Sequence, residues 1–289
     1  MLKKKIYGLW LSFLVVLFGM DFAKWFDSYL RFKRKLSLKN PQTLADKVTY
    51  LFLHKQTPLM SNCTDKWNVR EYITGKGLAD ILIPTVGGPW NKVEEIDFDK
   101  LPNKFILKAT HGCKMNYIVK DKSKLNIDDC KKTLHSWLNT TYGTYSVEPH
   151  YKAIPHRIYA EQFLEIENGL IDYKIHCLNG VPQFVLVCSD RKNNFGKMTL
   201  SRYLFDINWQ PINEIVSSEK QVSIQKPSNL TQMLEIAKKL SADFSFVRVD
   251  LYSIKEKIYF GELTFSPACG VFSHFSDKFI NDMGKRLKI

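Results

Sequence analysis

Two acidic residues near the end of the chain, Asp250 and Glu262, are spaced so that they could hold a cation. They lie in Phe246-Val-Arg-Val-Asp-Leu-Tyr252 and Ile258-Tyr-Phe-Gly-Glu-Leu-Thr-Phe-Ser-Pro267, two runs rich in β-branched and aromatic residues around the charged stretch 253–257. That pattern predicts a β-hairpin. Side chains alternate along a strand, so Arg248, Asp250 and Tyr252 share one face and Phe260, Glu262 and Thr264 share one on the second run. Antiparallel pairing can bring Asp250 and Glu262 side by side on the same face. Adjacent carboxylates repel unless a cation lies between them, and hard oxygen donors from two strands suit Mg²⁺. The same spacing also suits two solvated charges on the outer face of an amphipathic hairpin, so spacing alone leaves both readings open.

The elements that must position this hairpin come from a chain of 289 residues, 45% of them apolar, enough for one large domain or two moderate ones. A formal charge of +13 suits polyanionic partners. No zinc-finger spacing or Arg-rich block points to nucleic acid, and none is expected as a partner. Cys63, Cys113, Cys130, Cys177, Cys188 and Cys269 are scattered without a C-x-x-C pair, which predicts reduced, buried thiols of a cytosolic protein.

Lys3-Lys-Lys5 precedes an apolar run from Ile6 to Met20, closed by Asp21, and the basic stretch Arg31-Phe-Lys-Arg-Lys35 follows. The run is shorter than the roughly 20 residues that span a bilayer, and no small-residue cleavage site follows it. A helix over residues 1–37, docked on the cytoplasmic face of a membrane by apolar burial and anionic lipid, is one expectation. A buried helix packing on the domain behind it is the other.

Further along, Thr43 caps a helix through His54, and Thr64-Asp65 caps another from Lys66 to Gly75. Ile81–Val86 reads as a strand that stops at Gly87-Gly88-Pro89. Phe105–Ala109 and Tyr117–Val119 read as strands around the polar tip Thr110–Asn116, and Asp128–Leu138 as a helix. Arg157–Leu164 is a strand leading into the polar linker 165–169. Asp172–Leu178, Asn179-Gly180 and Val181–Cys188 form a hairpin, because Asn-Gly is the favoured two-residue turn. Residues 193–197 read as a loop, and Asn229–Leu240 as an amphipathic helix. The whole is α+β with mostly antiparallel hairpins. Neither G-x-G-x-x-G nor G-x-x-x-x-G-K-[ST] occurs.

The order of these parts carries a resemblance. The stretches are Asn40-Pro-Gln-Thr43, Thr64-Asp-Lys-Trp-Asn-Val-Arg-Glu-Tyr72, Leu101-Pro-Asn-Lys-Phe-Ile-Leu-Lys-Ala-Thr-His-Gly112, Asp172-Tyr-Lys174, Lys226-Pro-Ser-Asn-Leu230 and the hairpin runs 246–252 and 260–265. Together they resemble the TupA-like family of the ATP-grasp superfamily, associated with teichuronopeptide and capsular polysaccharide synthesis. The resemblance covers about residues 38–289. It implies an ATP-grasp fold: two α+β subdomains, about 66–164 and 165–289, with mostly antiparallel sheets clasping the nucleotide behind the N-terminal helical segment.

It also implies roles. Lys108, Lys66 and Lys114 would meet the phosphates of ATP, helped by the backbone of the loop at His111 and Gly112. Glu161, Gln162, Phe163 and Leu164 would form the adenine hinge, Asp172 would contact the ribose, and Lys174 and Arg191 would reach the phosphates or an acidic substrate. Asp250 and Glu262 would hold Mg²⁺, with Thr264 where the superfamily commonly has asparagine. Arg248 would stabilise charge at the reacting centre, and with Lys108 and Arg191 it makes up the catalytic set.

The implied chemistry activates a carboxylate as an acyl phosphate and lets an amine attack it. An amino acid or amine would be joined to an acidic saccharide or a lipid-linked saccharide. Two other readings stay open: a glycosyltransferase of the same pathway, and a non-catalytic membrane-associated assembly protein. The loops 87–97, 142–155 and 193–202 would choose the substrates, through aromatic residues such as Trp90, Tyr145 and Tyr151 or by packing alone.

Overall fold

A computed structural model describes residues 2–144, 146–166, 170–192, 198–216 and 224–289, and the side chains of all of these except 2–5, 190–192 and 198–200. The expected loop 193–197, Tyr145 and residues 167–169 of the expected linker lie outside the described residues. The chain divides into two compact units: residues 57–144 with 149–165, and residues 1–56 with 145–148 and 166–289.

The chain begins with α1 (Leu2–Phe32) and α2 (Leu44–His54), which belong to the larger unit, followed by α3 (Pro58–Thr64) and α4 (Val69–Gly75), which belong to the smaller. Within α1, Gly19 takes φ 82° and ψ 169°, outside helical values and open to glycine because it lacks a Cβ. The helix folds back there. Tyr7 Oη donates to Asp27 Oδ1 at 2.7 Å, and the Trp10 and Phe26 rings meet at 5.0 Å. In a straight helix residues twenty apart would be about 30 Å apart. So α1 is an antiparallel pair of arms, residues 2–18 and 20–32, and not the single rod expected over 1–37.

The second arm is part of the core. Lys24 is fully buried, its Nζ donating to Ser146 O at 2.7 Å and lying over the Phe52 ring. Burial holds the Lys24 amine below its ordinary pKa, against the pull of Glu148. Glu148 in turn accepts from Ser146 and Ser266. Asp21 at the fold-back meets His54 at 2.7 Å. The expected cap at Thr43 forms in full, Thr43 and Asp46 each accepting from the other's backbone.

Among the described residues the smaller unit carries a four-stranded sheet in the order β1 (Thr85–Trp90), β4 (Ile158–Gln162), β2 (Phe105–Ala109), β3 (Asn116–Val119), with α5 (Ile127–Leu138) against it. Strand β1 begins four residues later than the sequence suggests and runs through Gly87-Gly88-Pro89. As an edge strand with irregular register against β4, it tolerates a proline that cannot donate. Phe105, Leu107, Ala109, Ile158 and Ala160 meet Cys130 and Leu134 of α5 in the core.

The larger unit carries a five-stranded antiparallel sheet in the order β7 (Met198–Asp206), β6 (Val181–Lys192), β5 (Ile171–Leu178), β8 (Phe246–Ile254), β9 (Lys257–Thr264). Asn179 and Gly180, both at positive φ, turn β5 into β6 as predicted. Lys255 and Glu256, also at positive φ, turn β8 into β9. Helix α6 (Leu230–Ser241) packs on this sheet through Leu230, Met233, Ile236, Ala237 and Leu240. Helix α7 (Asp277–Arg286) packs on α2 and is closed by Lys47, whose Nζ donates to Gly284 O and Leu287 O. All six cysteines are free; Cys113 is exposed and Cys269 half-buried, not interior as expected.

Candidate active site

The register of the larger sheet gathers its charged residues on one face. Arg248 pairs with Thr264 and Asp250 with Glu262 across β8 and β9, while Lys174 pairs with Asp250 and His176 with Arg248 across β5 and β8. Alternation then sends Val247, Val249, Leu251, Ile175 and Cys177 to the other side, where they are buried and α6 packs on β5 and β8. The register slips between Asp250 and Leu251, so Phe260 lies opposite Leu251 and is buried. This corrects the simple alternation that set Phe260 beside Glu262.

Arg248 is the centre of the cluster. Its Nε donates to Asp250 Oδ1 at 2.6 Å, and its Nη2 to Asp250 Oδ2 at 2.6 Å, Glu262 Oε1 at 3.0 Å and Thr264 Oγ1 at 3.0 Å. Thr264 passes its own hydroxyl hydrogen to Glu262 Oε1 at 2.8 Å. Lys174 Nζ donates to Asp250 Oδ2 at 2.6 Å and is paired with Asp172.

Burial opposes charge on both bases, but Asp250 outweighs it, so Arg248 and Lys174 hold their protons more tightly than usual. The Asp172 carboxyl is pushed up to about 6, first by burial and then by the charge of Asp250. His176 is buried and stacked on Phe184 at 4.3 Å, and burial and Arg248 hold it neutral, well below the usual range. His274 is pushed down to about 4 by burial, Arg202 and Arg248.

Sequence reasoning did not single out Arg202. It placed residues 193–202 in a loop, yet Arg202 is in β7, opposite Cys188, which is itself opposite Asp172. The alternation of β7 was the available signal. Arg191 falls on β6 opposite Thr199, and its side chain lies outside those described.

The smaller unit gathers a second set. Lys108 Nζ is 2.5 Å from Glu161 Oε2, and Arg70 Nη1 is 3.9 Å from Glu161 Oε1, which also accepts from Tyr159 Oη at 3.1 Å. Glu161 is buried, Gln162 is exposed, and Phe163 and Leu164 are half-buried. Lys66 donates from its backbone to Thr110 O at 3.1 Å and from Nζ to Gly112 O. It precedes α4, because Asp65 accepts from Trp67 N and Asn68 N and delays the helix to Val69.

Arg157, which the sequence reading passed over, donates to Asp65 Oδ2 at 2.8 Å and Asn68 Oδ1 at 2.9 Å. Lys66, Arg70, Lys108 and Arg157 thus outnumber Asp65 and Glu161, a cationic surplus suited to phosphate. At the loop tip, Lys114 is exposed at φ 62°. His111 points inward: its ring is buried, stacked on His156 at 3.8 Å and bonded to Trp137 O at 3.0 Å. Burial and His156 push it down to about 4. Its imidazole is therefore a packing group, and the part of residue 111 left to meet a ligand is its backbone.

Two α+β units built on mostly antiparallel sheets, one rich in cations and one with paired carboxylates, define an ATP-grasp protein. The chain belongs to the TupA-like ATP-grasp family, whose model matches residues 46–288. Among solved structures it is similar to a D-alanine–D-alanine ligase from Helicobacter pylori, with 14% identity, TM-score 0.46, and coverage of 86% of this chain and 70% of that one. A D-alanine–D-alanine ligase from Bacillus anthracis complexed with ATP is similar at 14% identity and TM-score 0.47, covering 79% and 68%. A D-cycloserine synthetase is similar at 14% identity and TM-score 0.43, covering 80% and 72%. No curated protein matches the chain.

The donor set fits Mg²⁺. Asp172, Asp250 and Glu262 are three carboxylates against two bases, Lys174 and Arg248, on one sheet face. Asp172 Oδ1 is buried without a hydrogen-bond partner among the described residues. Among the described residues no three His, Cys, Asp or Glu side chains form a closed metal cage. That agrees with Mg²⁺, which takes one or two carboxylates and completes its shell with water and phosphate oxygens.

Proposed function

We propose that the protein is an ATP- and Mg²⁺-dependent carbon–nitrogen ligase that joins an amino acid or amine to the carboxylate of an acidic saccharide in the synthesis of a cell-surface polymer, on the cytoplasmic side where ATP is supplied. The carrying observation is Arg248 bridging Asp250, Glu262 and Thr264 on one sheet face. Membership of the TupA-like family supports the saccharide assignment.

Asp250 and Glu262 would hold Mg²⁺, with Thr264 Oγ1 orienting Glu262. Bound there, Mg²⁺ neutralises charge on the transferring phosphoryl group. Lys108, Lys66 and Lys114 supply cations for the phosphates of ATP, with Glu161 aiming Lys108. Backbone groups of 161–164 receive the adenine, and Phe163 and Leu164 wall it. Asp172 accepts from the ribose and Lys174 steadies Asp250. Arg191 is assigned to the acidic substrate.

A substrate carboxylate oxygen attacks the γ-phosphorus, the bond to the β,γ-bridging oxygen breaks, and ADP leaves. Arg248 stabilises negative charge at the reacting centre. The amine nitrogen then attacks the acyl carbon, the carbon–oxygen bond to phosphate breaks, and the nitrogen loses a proton, giving amide and inorganic phosphate. No side-chain nucleophile is needed, consistent with the neutral, buried His176 and His111.

The test is product analysis. With ATP, Mg²⁺, hydroxylamine and a uronic-acid-containing acceptor, the enzyme should release ADP and phosphate and form a hydroxamate. Release of UDP from a UDP-sugar, with no ADP formed under any acceptor, would replace this reading with a glycosyltransferase.

A further inference from the structure

The fold-back at Gly19 has consequences for the face of the first arm. Apolar residues run unbroken by charge from Ile6 to Met20. With the chain reversed at Gly19, one side of residues 6–18 packs inward, where Leu11 and Leu14 are buried. Ile6, Leu9, Trp10, Phe13, Val16 and Leu17 are left on the outside, with Leu9 72% and Val16 82% exposed. Their spacing of three and four marks a single helical stripe. Large apolar stripes of this kind are docking surfaces and not ordinary soluble exterior.

The reversal also sorts the charges. The register that sets Tyr7 against Asp27, with the Arg31 guanidinium over its ring, brings residues 3–5 to the same end of the hairpin as Arg31, Lys33, Arg34 and Lys35. In a straight rod these two basic clusters would lie roughly 45 Å apart. Asp27 neutralises Arg31 and Asp277 neutralises Arg34. Lys33 and Lys35 are exposed and have no ion pair among the described residues. A groove of about 670 Å³ opens here, lined by Phe32, Lys33, Arg34, Lys35, Phe275 and Ser276 among others.

We infer that the outer stripe of the first arm lies in the plane of an anionic phospholipid bilayer, with Lys33 and Lys35 at its headgroup phosphates. The length of residues 6–32, with an 18-residue window of mean hydropathy 1.8 inside it, would also suit a single span. Geometry decides against one. The first arm is about 25 Å long, short of the roughly 30 Å hydrocarbon core. The second arm is committed to the protein core by Lys24, Asp27 and Ser28, all fully buried. An apolar stripe with cations gathered at one end fits the surface of an anionic bilayer, where the stripe enters the acyl boundary and the lysines stay at the phosphates. This inference stands apart from the ligase chemistry, and its failure would leave that chemistry untouched.

The experiment is flotation of the full chain with vesicles of phosphatidylcholine alone or mixed with phosphatidylglycerol. The protein should float with the mixed vesicles, and less so as salt rises. Leu9→Glu with Val16→Glu should weaken binding about tenfold or more, and Lys33→Glu with Lys35→Glu should do so to a similar extent. Each variant should keep its thermal shift with ATP and Mg²⁺, showing an intact fold. Protease added outside the vesicles should remove an N-terminal tag, because the hairpin returns to its starting side.

Failure of the wild type to float with mixed vesicles would overturn the inference, as would undiminished binding by the stripe variant. A protected tag would establish a span instead. A wild-type dimer that Leu9→Glu with Val16→Glu makes monomeric, without vesicle binding, would assign the stripe to a second copy.

Discussion

Asp250 and Glu262 stand opposite each other on β8 and β9, and a single nitrogen of Arg248, Nη2, reaches both, at 2.6 Å and 3.0 Å. The guanidinium therefore balances the same two carboxylates that are assigned to Mg²⁺. Their repulsion is offset in the absence of metal, and removal of either partner unbalances the other.

Asp250→Asn and Glu262→Gln each remove a charge from the cation site with little change of size. Both should abolish turnover of ATP; Glu262→Gln should leave the unfolding transition in place, whereas Asp250→Asn should lower it, because Arg248 and Lys174 lose their buried counter-charge. Full activity in either variant would remove these residues from the metal site.

Arg248→Ala should do more than slow catalysis, because Asp250 is 1% exposed and would keep its charge with Lys174 alone. Loss of one partner from a buried pair costs roughly 3–5 kcal/mol. Urea denaturation should show that loss, and Arg248→Ala with Asp250→Asn should recover much of it without restoring turnover.

Lys108→Ala should weaken ATP binding and also leave Glu161 without its closest cation. Adding Glu161→Gln should restore stability but not ATP affinity, which calorimetry can separate. If the double variant binds ATP like wild type, Lys108 is a structural partner of Glu161 and not a phosphate ligand.

The pH dependence of unfolding should carry two opposite slopes. His274 is depressed from 6.5 to about 4, so its contribution is complete above 6.5 and is lost as pH falls towards 4. Asp172 is raised from 3.8 to about 6, so its contribution is complete below 3.8 and is lost as pH rises through 6. His274→Asn should reduce the acid-side loss by roughly 3 kcal/mol. Asp172→Asn should flatten the stability profile between those two values.

The arms of α1 should respond differently to truncation. Deleting residues 2–18 should leave a soluble protein that keeps its thermal shift with ATP and Mg²⁺. Deleting 2–32 removes buried Lys24 and Asp27 and should give aggregates. Equal tolerance of both deletions would mean the second arm is not part of the core.

The sequence by itself determined the local structure and the pairing that local structure enforces. The alternation in 246–252, the Asn179-Gly180 turn and the Thr43 cap each depend on neighbours a few residues away, and each formed where the pattern placed it. The tight turn carries the register only as far as Leu251 and Phe260; continued unchanged it would set Asp250 opposite Gly261, and the bulge beyond Leu251 is what brings Glu262 opposite Asp250.

Tertiary structure alone decided which charges meet. Arg157 finds Asp65 across 92 positions, Lys24 finds Ser146 across 122, and Arg202 comes into the row of Asp172 only through two strand pairings. It also decided which polar side chains are removed from solvent. His111 sits in a polar tip that reads as a ligand loop, but stacking on His156 turns it inward. The reversal at Gly19 belongs to the same class. A glycine in an apolar run permits a bend without requiring one, and the choice rests on what the second arm can bury: an aspartate shared by Tyr7 and Arg31, and a lysine satisfied by a carbonyl more than a hundred residues away.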